Sequence, residues 1–195
     1  MIVILLTATP AVRGLSPHCN FNNTLPLPVP VKTKFCPSAE KAALKVPEGV
    51  DNGDLIIQIV GGPNIRTDYH DDPYEEFFYQ LKGNMTLKVV EDGELRDKPI
   101  NEGDIMLIPP HMPHSPQRPD PESIGMVVER IRPPGVMDAF EWYCENCAKK
   151  VWRREVRVDN IVDDLPPVFN EYYDKIAGGN CNSCGHPNPK KLTIK

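Results

Sequence analysis

Arg66-Thr67-Asp68-Tyr69-His70, followed by Glu76 and Gly83 and then by Gly103, Pro109, His114 and Arg118, is the stretch that decides how this chain is read. Five residues separate His70 from Glu76, six separate Glu76 from Gly83, and five separate Gly103 from Pro109. The segments holding these residues have the composition of short β-strands bounded by Gly, Pro and Asp. Neutral imidazole and carboxylate suit a divalent first-row metal. Two histidines and one carboxylate on one face leave the opposite positions open, as non-haem Fe(II) oxygenases require. His70, Glu76 and His114 are therefore candidate Fe(II) ligands, and Arg66 and Arg118, at matched offsets from the histidines, suit an acidic substrate.

Strand alternation restricts which residues share that face. Residues of like parity point the same way in extended chain. A strand through residues 66–70 would face Arg66, Asp68 and His70 together, and the next would face Glu76, Phe78 and Gln80 together, with Glu75 turned away. A single histidine is more often a hydrogen-bonded core residue than a ligand, and a lone arginine or glutamate is more often exposed or ion-paired. The joint spacing outweighs those readings. His18 and His186 have no partner at ligand spacing and are expected to be exposed.

Taken together, these spacings resemble the paired motifs of the cupin superfamily, which implies a mainly β fold, the double-stranded β-helix or jelly-roll barrel. Two positions depart from the common pattern. Four-ligand cupins carry a second histidine where this chain has Asp68, so three ligands are expected. Arg118 stands where asparagine is common and places a cation beside the metal. His111 falls at a usual turn glycine and is read as structural.

The runs Gly61-Gly62-Pro63-Asn64-Ile65-Arg66, Glu76-Phe77-Phe78-Tyr79-Gln80-Leu81-Lys82-Gly83 and Pro109-Pro110-His111-Met112-Pro113-His114 resemble the 3-hydroxyanthranilate 3,4-dioxygenase family, as do Val128-Glu129-Arg130 and Trp142-Tyr143-Cys144-Glu145. The similarity covers about residues 51–189. It implies an enzyme of tryptophan catabolism through kynurenine, which opens the ring of 3-hydroxyanthranilate with O2 on the way to quinolinate and NAD. It further implies that His70, Glu76 and His114 ligate Fe(II), that Arg66 and Arg118 hold the substrate carboxylate, that Glu129 faces the hydroxyl or amine side, and that the enzyme is a homodimer. The residue chemistry agrees. An arginine fork binds a carboxylate bidentately and stays charged when partly buried. Glu129, after the apolar run Met126-Val127-Val128, is a candidate for desolvation and proton acceptance. Two other readings stand beside this one. Another iron cupin oxygenase could act on a thiol or a different small acid, though two arginines with Glu129 favour an aromatic amino acid-like substrate. A non-catalytic metal-binding cupin would not require the intact ligand set.

Downstream, Cys144-x-x-Cys147 and Cys181-x-x-Cys184 are separated by 33 residues, and two such thiolate hairpins can meet as a tetrahedral four-cysteine site for iron or zinc. Disulfides would need an oxidising compartment. Many microbial and fungal members of the same family carry a rubredoxin-like four-cysteine site after the barrel, which implies a structural role here. Cys19 and Cys36 read as free thiols.

The 22 prolines are about twice average usage and argue for strands and turns over helices. A net charge of −5 without a basic stripe gives no support for nucleic-acid binding. Met1 to Leu6 is apolar but too short for a membrane span and lacks the features of a secretory signal, so a cytoplasmic location is expected. Three regions are expected: an atypical N-terminal segment (1–50), the barrel (51–136) and a C-terminal segment carrying the four-cysteine site (137–195). The first does not match the N-terminal part that helps the family form its dimer and one wall of its pocket; Leu25 to Val31 reads as extended, polyproline-like chain. Expected strands are 54–60, 76–82, 85–90, 105–108 and 123–130, with a turn at 91–94 and a further strand at 151–158. Expected helices are 137–143 and 167–177, with a start or turn at 159–164 and a break at Pro166-Pro167. Residues 187–195 have the composition of a mobile tail.

Overall fold

A computed structural model of the chain describes Val3–Leu6, residues 54–159 and residues 161–192. Cys19, Cys36, His18 and the polyproline-like stretch lie outside the described residues.

Eleven strands and one helix are described: β1 (Val3–Leu6), β2 (Leu55–Gly61), β3 (Tyr69–Asp71), β4 (Glu76–Lys82), β5 (Met85–Glu91), β6 (Glu94–Ile100), β7 (Ile105–Ile108), β8 (His114–Gln117), β9 (Ile124–Arg130), β10 (Asp138–Tyr143), β11 (Lys150–Val156) and α1 (Ile161–Lys175). They form two antiparallel sheets, β1-β2-β9-β4-β7 and β11-β10-β3-β8-β5-β6. Alternation along β4 and β5 sends Phe78, Met85, Leu87 and Val89 inward, where they pack with Val60, Ile100, Ile108 and Val127. This is the jelly-roll architecture: two sheets closed over one apolar core. A second core lies under α1, where Trp142 stacks on Tyr172 at 4.0 Å between ring centroids and Phe140, Leu165 and Val168 fill the space around them.

Three expectations are corrected, and one strand is added after a turn that stands where it was expected. Residues 137–143 form β10, not a helix, and every residue of that strand is buried. The helix expected at 167–177 begins at Ile161 and runs through Pro166 and Pro167. The missing N–H groups forfeit only the bonds to the carbonyls of residues 162 and 163, in the first turn, where Asp163 is exposed to water. β6, a strand of mostly charged and exposed residues, follows directly on the 91–94 turn, in which Asp92 and Gly93 both take positive φ, 54° and 77°, as a two-residue hairpin requires. Residues 188 and 189 are buried: the Asn188 side chain donates to the Ile176 carbonyl at 3.0 Å, and the Pro189 carbonyl accepts from Tyr172 Oη at 2.9 Å.

Beyond residue 136, β10 pairs with β3 and β11 with β10, so the C-terminal segment extends the sheet that carries His70. No helix among the described residues is long and apolar enough to cross a membrane.

Candidate active site

β3 and β8 pair through one register position, His70 opposite His114, and this sets the two imidazoles side by side. Glu76 enters from β4 in the other sheet. Phe78 and Gln80 share its inward face, while Glu75 is exposed and faces Arg130. One ligand atom from each of His70, Glu76 and His114 lies within 4.8 Å of the others.

Hydrogen bonds to the outer ring nitrogens fix which atoms face that point. His114 Nδ1–H donates to the Met112 carbonyl at 3.0 Å, leaving the Nε2 lone pair 2.7 Å from Glu76 Oε2. His70 Nε2–H donates to Asp138 Oδ1 at 2.8 Å, leaving Nδ1 facing Glu76 Oε2 at 3.8 Å. Glu76 Oε2 is buried with no hydrogen-bond partner among the described residues. With the outer nitrogens committed elsewhere, each inner nitrogen must direct either a proton or a metal at the buried Glu76 oxygen, so the point between them takes a cation and the donor set fits a divalent metal. Burial opposes ionisation of Glu76, but the facing His114 and His70 rings outweigh it and hold the carboxyl down at about 2. Burial likewise disfavours a charged His70, yet Asp138 and Glu76 lift it to about 9, so metal must displace a proton there.

The substrate-binding candidates separate into two kinds. No strand runs through Arg66 and Asp68, as alternation alone had suggested; β3 begins at Tyr69 because the Gln117 side chain takes over the Arg66 backbone, accepting from its N–H at 3.2 Å and donating to its carbonyl at 3.0 Å. Arg66 lies on the cavity wall and is forked onto Asp68, with its Nε 3.0 Å from both carboxylate oxygens. The position of the absent fourth ligand therefore holds the arginine's counter-ion. Arg118, 1% exposed, lies behind the wall, and its Nε and Nη1 have no partner among the described residues. Burial alone lowers its pKa, to about 10.

Gly125 makes room for that guanidinium. A Cβ at residue 125 would lie 2.4 Å from Arg118 Nη2 and 3.0 Å from Gln80 Oε1, and the Gln80 amide is fixed by donating to Ser123 Oγ at 2.9 Å and to the Lys82 carbonyl at 2.8 Å. Gly125→Ala is expected to displace the end of Arg118 with little loss of melting temperature. A charge-assisted hydrogen bond is worth about 1.5–3 kcal/mol, so KM for an anionic substrate should rise roughly tenfold or more while kcat changes less. Steady-state kinetics beside a thermal melt checks this.

Glu129, 4% exposed, lines the same cavity as His70, Glu76 and His114 and accepts from the Gln58 side chain. Burial, and next the charge of Glu76, push its pKa up to about 8 against the pull of Arg132.

The family model for 3-hydroxyanthranilic acid dioxygenase matches residues 40–173, which include every residue of this site. The chain belongs to the 3-hydroxyanthranilic acid dioxygenase family. Among the relatives of this dioxygenase family member, the 3-hydroxyanthranilate 3,4-dioxygenase of Jannaschia sp. is 53% identical over 152 residues, covering 76% of this chain and 84% of that one. The enzyme of the same name from Shewanella woodyi is 54% identical over 141 residues, covering 72% and 75%. A solved cupin-2 domain protein from Shewanella frigidimarina is similar at 18% identity over 42% of this chain and 74% of that chain, with a TM-score of 0.34.

At the far end of β10 the family member brings its four downstream cysteines together through two matching turns. Ala148 N donates to the Cys144 carbonyl and Gly185 N to the Cys181 carbonyl, at 2.9 and 2.8 Å, and both turn residues take positive φ. Cys144 Sγ is 3.6 Å from Cys184 Sγ, and Cys147 Sγ is 3.7 Å from Cys181 Sγ. A disulfide would need about 2.05 Å, whereas a tetrahedron with metal–sulfur bonds of about 2.3 Å has edges near 3.7 Å. The backbone N–H of His186 holds the Cys184 thiol down to about 6, while Cys147, despite a backbone hydrogen bond that lowers it, is pushed up to about 12 by burial and the other three thiols, so the four sulfurs give up their protons unequally. His186 itself is half-buried rather than exposed. His111 keeps its turn role, with φ of 60° and its Nδ1 3.0 Å from Asp71 Oδ1.

Three buried residues of this site carry no spacing signal in the sequence: Asp72, Arg132 and Asp138. With His70, the two aspartates form a second group of potential ligands within 4.8 Å. Arg132 already fills it, with Nη2 2.7 Å from Asp72 Oδ2 and 2.7 Å from Asp138 Oδ1, so a cation is present without a metal.

Proposed function

We propose that the chain is a non-haem Fe(II) dioxygenase that opens the ring of 3-hydroxyanthranilate with O2, giving 2-amino-3-carboxymuconate semialdehyde, which cyclises to quinolinate, the precursor of NAD. The observation that carries the reading is one barrel interior holding both the convergent His70, Glu76 and His114 donors and the buried guanidinium of Arg118, whose Nε and Nη1 have no partner among the described residues. His70, Glu76 and His114 would hold the iron. Fe(II) held there would lower the pKa of the ring hydroxyl and would supply the redox chemistry that O2 requires.

The remaining chemistry falls to the chain. Arg118 gains a partner when the substrate carboxylate comes alongside it, which relieves the cost of a buried unpaired cation. Arg66, already neutralised by Asp68, adds a rigid polar wall rather than a free charge. Glu129 accepts the hydroxyl proton, a role suited to a carboxylate whose pKa is lifted toward neutrality. Val127 and Phe140 line the cavity with apolar surface and limit water at the reacting ring. The bond between the hydroxyl-bearing carbon and its unsubstituted neighbour breaks, and both oxygen atoms remain in the product as carboxylate and aldehyde.

Residues 51–136 act as the catalytic barrel and 137–195 as its support, with iron or zinc in the four-cysteine site. Cys147→Ser is expected to cost about 3 kcal/mol, or roughly 6–12 °C of melting temperature, and to lower occupancy of the second metal while sparing turnover in the folded fraction. Metal analysis, melting and kinetics on one preparation check this; a specific loss of turnover in fully folded protein contradicts it. The working form is read as a homodimer, supported by Ile105 and Leu107 of β7, which are 68% and 65% exposed. A reducing cytoplasm suits its free thiols.

The test is anaerobic loading with Fe(II), then 3-hydroxyanthranilate and O2, followed by near-ultraviolet absorbance. A transient that decays to quinolinate is expected. Folded, iron-loaded protein that yields no product overturns the substrate assignment.

A further inference from the structure

We infer that Arg132 is a positioning residue that locks the metal-ligand side of the site to the Glu129 side through one guanidinium, an inference that rests on the roles proposed for His70 and Glu129. Its side chain is 2% exposed, and its donors are committed to partners on separate elements. Nη2 lies 2.7 Å from Asp72 Oδ2, just past β3; 2.7 Å from Asp138 Oδ1, at the start of β10; and 2.5 Å from Glu129 Oε2, near the end of β9. Nε lies 3.0 and 3.1 Å from the two Asp138 oxygens, and Nη1 donates to the Arg130 carbonyl at 2.7 Å.

The partners carry the connection onward. Asp138 Oδ1 is the oxygen that accepts His70 Nε2–H, so the atom fixing the histidine tautomer is itself held by the guanidinium. Asp72 Oδ1 accepts from Tyr74 N at 2.8 Å, and the Asp72 carbonyl accepts from His111 N at 2.8 Å, which fastens the loop between His70 and Glu76. Glu129 Oε1 accepts from Gln58, while its Oε2 is held by the charge of Arg132 Nη2, whose two N–H groups go to Asp72 and Asp138. A planar, five-donor fork can hold three carboxylates in one fixed relation, whereas an ammonium group offers a point charge with no preferred plane. Partners of this kind, one shell out from a ligand, typically change metal affinity or activity about 10–100-fold when removed.

Arg132→Lys keeps the charge among three buried carboxylates and is the variant expected to fold; Arg132→Met removes the charge as well. Both should be compared with wild type by thermal melting, by Co(II) titration with the visible ligand-field spectrum, and by steady-state kinetics. For Arg132→Lys the expected result is a Co(II) dissociation constant raised about tenfold or more with shifted bands, and kcat lowered about 10–100-fold with KM within about twofold. Arg132→Met, where it folds, should be worse on each count. A lysine variant with native Co(II) affinity, spectrum and kcat overturns the inference, however far its melting temperature falls. The Co(II) arm involves no organic substrate. A wild-type protein that binds Co(II) but fails to open 3-hydroxyanthranilate sinks the substrate assignment and leaves this test standing.

Discussion

Replacing His114 with alanine is expected to abolish iron loading and turnover together. The residue is 1% exposed, directly opposite His70, and its orientation is set by the Met112 carbonyl, so its loss removes one of the two imidazoles of the cluster. Two donors on one side of a divalent ion do not make the facial set that holds iron and leaves positions open. Transition-state charge stabilisation by a metal is worth several kcal/mol, and each step of about 1.36 kcal/mol is tenfold in rate, so a fall of roughly a thousandfold or more follows. Iron analysis after anaerobic loading, read beside product formation, checks it. Retained catalysis would remove the proposed triad. The ring packs edge-on against Phe78, with centroids 5.8 Å apart, so some loss of melting temperature is expected as well.

Glu129→Gln is expected to lower kcat by roughly 10²–10⁴-fold, the usual contribution of a positioned general base, with KM within a few-fold. The amide keeps the volume of the carboxylate but only one of its two acceptor oxygens, so it can still accept from Gln58 or from Arg132 but not from both, and some loss of melting temperature accompanies the loss of the proton acceptor. The pH dependence carries a sign. A base works ionised, and burial holds this carboxyl up to about 8 among Gln58, Arg132, Glu76, His70 and Asp72. Wild-type kcat/KM should therefore climb as pH rises toward 8 and flatten above it, while the glutamine variant lacks that climb. A variant with native kcat and a large rise in KM would make Glu129 a binding group only.

The convergence of the barrel's donor residues was legible because it is written in spacing. His70, Glu76 and His114 sit at cupin intervals, and the parity of Glu76, Phe78 and Gln80 along β4 is the parity the structure shows. The support was not legible, for two physical reasons. All six residues of β10 are buried, acidic Asp138 and Glu141 included, so the alternation that betrays a half-exposed strand is absent and the acidic pair at a spacing of three reads equally well as one face of a helix. Asp72, Arg132 and Asp138 meet only after β3, β9 and β10 have come together, and no interval between them distinguishes a clamp from three ordinary surface charges. β6 escaped notice for a related reason: its exposed, charged sequence is what a protected sheet edge needs and what a loop also looks like.

Asp68 has a consequence for how such pockets diverge. A histidine at that position would add a donor near the metal and, in the same step, strip Arg66 of the carboxylate that holds its fork in place. Ligand number and the furnishing of the cavity wall are thus inherited as one trait, not two. Sequences drifting between a three-donor and a four-donor centre would change the molecules they admit at the moment they change the ion's surroundings.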